Sequence, residues 1–161
     1  MDSDSLMRPK DGPYKFELLP QFWEFIDRKS IEGVIASSIF VYQEIMDAYE
    51  DDPLRRWAEA RSGPPLFQEP NEAVQRCLNE VADFVNGNYR PEWASKFLKG
   101  ADPWLIAHAK TQGGKVVTFE QLVGPNAKEP KIPNVCRGLG ITDPIDTYQM
   151  LVELNAHFGV G

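Results

Sequence analysis

The sequence predicts an α/β fold in which a mostly parallel sheet is sandwiched between helices, giving three layers. Helical patterns alternate with short β-branched segments, which is typical of parallel sheets with helical crossovers. The chain has 161 residues, of which 42% are hydrophobic and 25% charged, as expected for one globular core. Sheets of this kind bind ligands at the carboxyl ends of their strands, so functional side chains are expected there.

Each predicted element follows from its local pattern. Apolar residues three and four apart predict helices, and short β-branched or apolar runs next to Gly or Pro predict strands. The predicted helices cover residues 19–30, 39–50, 52–60, 71–86, 91–99, 102–112 and 144–158. The helix over 102–112 is apolar nearly all round, so we expect it to be covered on both sides. The predicted strands cover residues 34–38, 65–69, 115–120 and 131–135.

Composition excludes several classes of protein. The chain has no apolar run long enough to span a membrane, and its start is polar, so a cytoplasmic protein without membrane contact is expected. The net charge of −7 argues against nucleic acid as a partner. Between Lys96 and Arg137, however, the sequence has seven basic residues and only three acidic ones, so this stretch permits contact with a polyanion.

Cysteine and histidine are too sparse to suggest a zinc or redox site. Cys77 and Cys136 are far apart, and we expect both to be reduced thiols in the core. His108 follows Trp104 by one helical turn, which favours a packed histidine over a metal ligand. Phosphate-loop, dinucleotide-binding, serine-hydrolase and zinc-peptidase motifs are absent from the sequence.

Asp-Pro pairs precede three of the predicted helices, at Asp52, Asp102 and Asp143. Asp is a preferred N-cap and Pro is favoured at the first helical position, so the local pattern predicts that all three are caps. For Asp102 a second role is open, because it lies just ahead of an unusually apolar helix.

Four other acids stand out by position. Glu44 adjoins the apolar stripe of its predicted helix and should point partly inward, where a carboxylate needs a partner. Glu120 ends the predicted strand over 115–120, close to the expected ligand crevice. Asp2 and Asp4 share a face if the start is extended, although a frayed acidic terminus is the simpler interpretation. Gathered together, such acids would repel one another, and Mg²⁺ or Mn²⁺ would remove that conflict.

The order of these residues resembles the PIN-domain ribonucleases, most closely a PIN-like branch associated with bacterial toxin–antitoxin modules. The resemblance is carried by "DSDSLM", "FWEFI", "VIASSIFVYQEI", "GADPWLIAHAK", "KVVTFE" and "KIPNVC", and it covers nearly the full chain. It implies a metal-dependent endoribonuclease that hydrolyses RNA phosphodiesters with Mg²⁺ or Mn²⁺ and is restrained by a cognate antitoxin. Asp2, Glu44 and Asp102 match the metal-binding acids, and Glu120 matches the fourth catalytic acid in a supporting role.

The sequence departs from the family pattern in three places. Asp4 stands where the family has Ser or Asn, and Glu120 where it usually has Asp. Only Met1 precedes Asp2, so the family's first strand is missing and residues 1–161 would be a single, N-terminally truncated PIN-like domain. A sheet without that strand could be inactive, or could form a homodimer through an open edge.

Two other hypotheses compete with the nuclease. The chain could be a non-catalytic PIN-like binding module with an incomplete metal site. It could also be an unrelated α/β domain whose acids are caps and surface charges, which requires Glu44 to be fully exposed.

Overall fold

The computed structural model describes residues 1–48 and 50–159 and confirms the α/β class. Helices dominate this part of the chain, and the strands are short. In chain order the elements are α1 (Asp4–Asp11), α2 (Pro20–Ile31), β1 (Ser37–Ser38), α3 (Ile39–Ala48), α4 (Pro53–Glu59), β2 (Phe67–Gln68), α5 (Glu72–Asn88), α6 (Pro91–Leu98), α7 (Asp102–Gln112), α8 (Ile132–Gly138) and α9 (Thr147–Glu153). In the described ranges, no helix has the length and apolar character needed to cross a membrane.

The strands pair in parallel, as predicted, but they are much shorter than predicted. Ser37 pairs with Phe67 in the two-stranded sheet, and Val117 forms an isolated parallel bridge with Ile145. Local turns shorten the predicted strand over 34–38 at its start and the predicted strand over 115–120 at its end. The amides of residues 34 and 35 both donate to the carbonyl of Lys29, and the amide of residue 120 donates to the Thr118 hydroxyl. These groups are therefore not available to lengthen the strands.

The predicted strand over residues 131–135 is wrong, because this segment forms helix α8. Pro133 lies in the first turn, where its missing N–H costs nothing. The free Ile132 amide donates to Glu120 Oε2 at 2.7 Å. The Glu120 carboxylate thus pairs with a backbone amide at the start of α8, which has no side-chain N-cap of its own.

The Asp-Pro pairs are not equivalent. Asp52 caps α4, accepting from the Leu54 amide at 2.7 Å as predicted. The predictions for Asp102 and Asp143 are wrong. Asp102 is the first helical residue of α7, which starts without a side-chain cap. The last helix begins after Asp146, which forms a capping box with Gln149, so α9 is shorter than the predicted 144–158.

Helix α7 connects two apolar clusters, which explains why its sequence is apolar nearly all round. Leu105 packs with the cluster built mainly on α1 to α4, and Ile106 with the cluster built mainly on α5, α6 and α8. Cys77 and Cys136 are free and buried in the second cluster, as predicted. The start of α7, and with it Asp102, is thereby held firmly between two packed layers.

Gly138, at the end of α8, is expected to tolerate no side chain. A Cβ there would lie 2.1 Å from the ring of Phe84, so Gly138→Ala should lower the free energy of unfolding by about 1–3 kcal/mol. Gly87→Ala is the matched control, since nothing lies within 4 Å of its Cβ position on α5, and it should stabilise by roughly 0.5 kcal/mol. Urea unfolding of both variants measures the difference; equal midpoints would show that the Phe84 ring moves aside.

Candidate functional site

Asp102 lies half-buried at the start of α7, among other acids. Burial, and after it the charges of Glu120, Asp2 and Glu44, raise the pKa of its carboxyl to about 7, against a smaller lowering by Lys131. The four acids singled out in the sequence therefore lie within electrostatic reach of one another. A carboxyl in such surroundings gains from a cation that neutralises its neighbours.

Asp2 is 5% exposed, so the interpretation as a frayed acidic terminus is wrong. Its Oδ1 accepts from the Ser5 amide at 2.8 Å and lies 2.5 Å from Ser5 Oγ. The Asp2 amide donates to the Val117 carbonyl at 3.0 Å. Asp4 already belongs to helix α1, whose N-cap is Ser3, so Asp2 and Asp4 do not share the face of an extended segment, and the start of the helix fixes the Asp2 carboxylate. Asp4 points elsewhere and pairs with Arg8 at 2.9 Å.

Glu44 is half-buried on α3, as its place beside the apolar stripe predicted. Its Oε1 accepts from the Ala101 amide at 3.0 Å, and its Oε2 accepts from Ser3 Oγ at 3.2 Å. The first contact places the carboxylate at the N-terminus of α7, where the helix dipole favours negative charge. The hypothesis that requires a fully exposed Glu44 is therefore not supported.

Glu120 is anchored by α8. Besides the Ile132 amide, it contacts Lys131 Nζ, which lies 3.4 Å from Oε1. Both carboxylate oxygens thus have partners supplied by the chain itself.

An open cavity of about 170 Å³ borders the acids. Its lining includes Asp102, Glu120, Lys96, Lys131 and Trp93, together with Glu129, which pairs with both lysines. Lys96 Nζ lies 5.4 Å from the centre of the Trp93 ring. Carboxylates, ammonium groups and an aromatic ring therefore face the same space.

A profile described as a domain of unknown function, DUF4411, matches residues 1–158. The chain belongs to the DUF4411 family. No curated protein and no solved structure matches it. Family membership therefore assigns this DUF4411 chain no activity, and its chemistry has to be argued from the site.

The donor chemistry of the site fits a hard divalent cation, but the side chains do not enclose one. Asp2, Glu44 and Asp102 supply only carboxylate oxygens, which Mg²⁺ and Mn²⁺ prefer. Within residues 1–48 and 50–159, no three His, Cys, Asp or Glu side chains are placed closely enough to hold a metal ion. In the DUF4411 chain, binding would therefore require these side chains to draw together.

Two interactions within the acid site were not predicted from the sequence. Lys131 is the cation that lowers the pKa of Asp102, and Ser5 holds the carboxylate of Asp2. Ser5 lies inside "DSDSLM", but its pattern does not show that its hydroxyl reaches the carbonyl of Val117, at 2.8 Å. Lys131 was hidden in a segment predicted as a strand.

Proposed function

We propose that this protein is a metal-dependent endoribonuclease that hydrolyses RNA phosphodiesters with Mg²⁺ or Mn²⁺. The proposal rests on one observation: Asp2, Glu44 and Glu120 lie within electrostatic reach of the half-buried Asp102, which lines an open cavity. Asp2, Glu44 and Asp102 would hold the cation, and Glu120 would support them. The resemblance to PIN-domain ribonucleases supplies the reaction class.

The cavity supports RNA as the substrate. Lys96 and Lys131 could contact phosphate oxygens, and Trp93 offers a face on which a base can stack. In duplex RNA the bases pair with one another and are not free to stack on Trp93. Single-stranded regions are therefore the expected target. Phosphate binding by two lysines should weaken as the salt concentration rises.

The chain's own residues have distinct tasks in this proposal. A bound divalent cation would supply an activated water and neutralise charge on the phosphate. Ser5 holds Asp2, and the Ala101 amide holds Glu44, so two of the three acids are oriented before any ligand arrives. Lys131 keeps part of the negative charge balanced and faces the cavity where a phosphate would lie.

Cleavage of RNA tests the proposal. The parent should cut a fluorescently labelled single-stranded RNA in Mn²⁺ or Mg²⁺ and not in EDTA. Asp102→Asn should reduce the rate by about a hundredfold or more, since the cation contributes several kcal/mol to such reactions. Asp47→Asn is the matched control, because Asp47 is exposed on α3, does not line the cavity and is not among the charges that shift the pKa of Asp102. No metal-dependent cleavage, or equal loss in both variants, would contradict the proposal.

The resemblance implies a cognate antitoxin, and an open sheet edge would allow a homodimer, so we include both partners in the proposal. An active nuclease must be restrained inside the cell that makes it, so expression of the parent alone should slow growth. Expression of Asp102→Asn should not. Analytical ultracentrifugation of the purified chain tests the dimer.

The second candidate function is a non-catalytic binding module. One observation favours it: the oxygens of Glu44 and Glu120 already accept hydrogen bonds from backbone amides, and the acids form no closed ligand set among the described residues. Such a module would bind RNA or protein without cleaving it. Oligonucleotide binding in EDTA with no cleavage in Mn²⁺ would favour the module.

A further inference from the structure

A second open cavity, of about 240 Å³, lies next to the acid site. Glu120 lines both this second cavity and the cavity that Asp102 borders, so a chain molecule bound at the acids can reach into both. Thr118 and Asp146 also line the second cavity, and each directly follows a residue of the isolated parallel bridge described above. The second cavity therefore lies toward the carboxyl ends of two parallel segments, where α/β proteins commonly bind ligands.

The walls of the second cavity combine apolar surfaces with hydrogen-bonding groups. Pro133, Pro144 and the exposed Leu122 supply apolar area. Gln121 and Gln149 supply side-chain amides, which both donate and accept hydrogen bonds. A planar ring with apolar faces and a polar edge matches this combination.

The charges of the second cavity are unlike those of a phosphate site. Among the described residues that line it, the charged ones are Glu120, Asp143, Asp146 and Arg137. Arg137 Nη2 donates to Asp143 Oδ2 at 3.0 Å, so the charge of the guanidinium is already balanced. Three carboxylates would repel a phosphate group, and the guanidinium would repel a bare cation. The lining therefore favours a neutral ligand that carries N–H donors.

We propose that the second cavity holds one unpaired base of the RNA, next to the phosphate at the acids, and that it prefers cytosine to uracil. The carboxylates of Asp143 and Asp146 would accept from the exocyclic amino group of cytosine, and the two prolines would pack on the faces of the ring. Uracil presents a carbonyl oxygen at the same position, which a carboxylate repels. This inference rests on the proposed function, because it requires RNA at the acid site.

Binding of two matched RNA oligomers to the full chain tests the inference. The probes are fluorescently labelled octamers of cytidine and of uridine, which share backbone and ring size and differ at the amino group. Fluorescence anisotropy in EDTA measures their affinities while the RNA stays intact. The parent should bind the cytidine octamer at least about fivefold more tightly, which is the scale of one well-placed contact to a base edge. If the octamers are cut in Mn²⁺, the ratio of their kcat/KM values should show the same preference.

The double variant Asp143→Asn/Asp146→Asn locates the discrimination. Asn caps helices nearly as well as Asp, so α9 should keep its start. Loss of two negative charges should raise the affinity for both octamers, so the readout is the ratio of affinities, which should fall to within about twofold of unity. Asp47→Asn/Asp83→Asn is the matched control, because both residues are exposed and line neither cavity, and it should keep the parent ratio.

The outcomes separate this inference from the proposed function. Cleavage in Mn²⁺ without a preference between the octamers, or a preference that the double variant keeps, would overturn the inference and leave the nuclease standing. A preference without cleavage would support the base assignment and contradict the nuclease. Neither binding nor cleavage would overturn both.

Two further measurements complete the test. Cytidine monophosphate that binds as tightly as the octamer would assign the second cavity to a free nucleotide and overturn the assignment to RNA. If the double variant loses cooperative melting, Asp143→Asn alone decides, because the Asp143 side chain is 65% exposed and its replacement should at least halve the ratio.

Discussion

Asp102→Asn is expected to raise the free energy of unfolding of the metal-free protein by about 2–4 kcal/mol at about pH 8. The pKa of Asp102 rises from 3.8 to about 7 on folding, because the carboxyl is half-buried among other carboxylates. The folded protein thus binds this proton more tightly than the unfolded chain. The parent should lose stability as the pH rises from 3.8 to about 7, whereas Asn carries no charge to be penalised.

The gain should therefore depend on pH with a definite sign. It should be small at about pH 4, where Asp102 is protonated in the folded parent, and complete above about pH 7. Urea unfolding in EDTA at both pH values measures it. Asp47→Asn, on an exposed surface of α3, should change the free energy by less than about 0.5 kcal/mol at either pH. A loss of stability in Asp102→Asn at high pH would show that the carboxylate is favourably paired.

If the proposed function is correct, divalent cations should stabilise the parent more than they stabilise Asp102→Asn. Mn²⁺ bound to the folded state stabilises it by mass action, and the parent offers a carboxylate where the variant offers an amide. The melting temperature of the parent should then rise with Mn²⁺, and that of Asp102→Asn should rise less. The same variant would thus be the more stable protein without metal and the less responsive one with it.

Helices were predictable from the sequence because their evidence is local. The predicted ranges 71–86 and 102–112 agree closely with α5 (Glu72–Asn88) and α7 (Asp102–Gln112), in which apolar spacing and burial coincide. α1 was missed because "DSLMRPKD" contains Pro9 and few apolar residues. Asp2 accepts a hydrogen bond from one backbone amide at the start of α1. Helix propensities of the residues in α1 do not include this contribution.

Strands were less predictable because their extent depends on distant partners. β-branched residues over 34–38 and 115–120 signalled extended chain, but the local turns at both ends shorten the ladder. In the segment over 131–135, a distant partner likewise decides the structure, but here it favours a helix over the predicted strand. Its composition suited a strand, and a long-range bond from the Ile132 amide to Glu120 supports a helix instead.

The sequence predicted which acids form the site, but not the contacts that position them. Position along the elements singled out Glu44 and Glu120, and the resemblance added Asp2 and a role for Asp102 beyond capping. The contacts that orient Glu44 join residues far apart in the chain: Ser3 is 41 positions away and Ala101 is 57. One-dimensional spacing contains no record of such pairs, so the positioning groups emerge only from the fold.

Ser5→Ala is expected to lower the free energy of unfolding by about 2–3 kcal/mol, the largest loss we expect from removing one polar atom. Ser5 is completely buried, and its Oγ lies 2.5 Å from Asp2 Oδ1 and 2.8 Å from the Val117 carbonyl oxygen. Its own carbonyl accepts from Thr147 Oγ1 at 3.0 Å, so α1, α9 and the segment at Val117 meet at this residue. Alanine keeps the backbone bonds and leaves a buried carboxylate with one donor fewer.

Ser30→Ala separates this role from the ordinary cost of losing a buried hydroxyl. Ser30 is 4% exposed, and its Oγ donates only within its own helix, to the Asp27 carbonyl at 2.8 Å. Its replacement should cost less than about 1 kcal/mol in urea unfolding. Equal losses for the two variants would show that the Ser5 hydroxyl does not hold Asp2. A Ser5→Ala protein that still melts cooperatively but has lost its response to Mn²⁺, while Ser30→Ala keeps it, would identify Ser5 as a positioning residue, because only orientation of the Asp2 carboxylate links that hydroxyl to a cation.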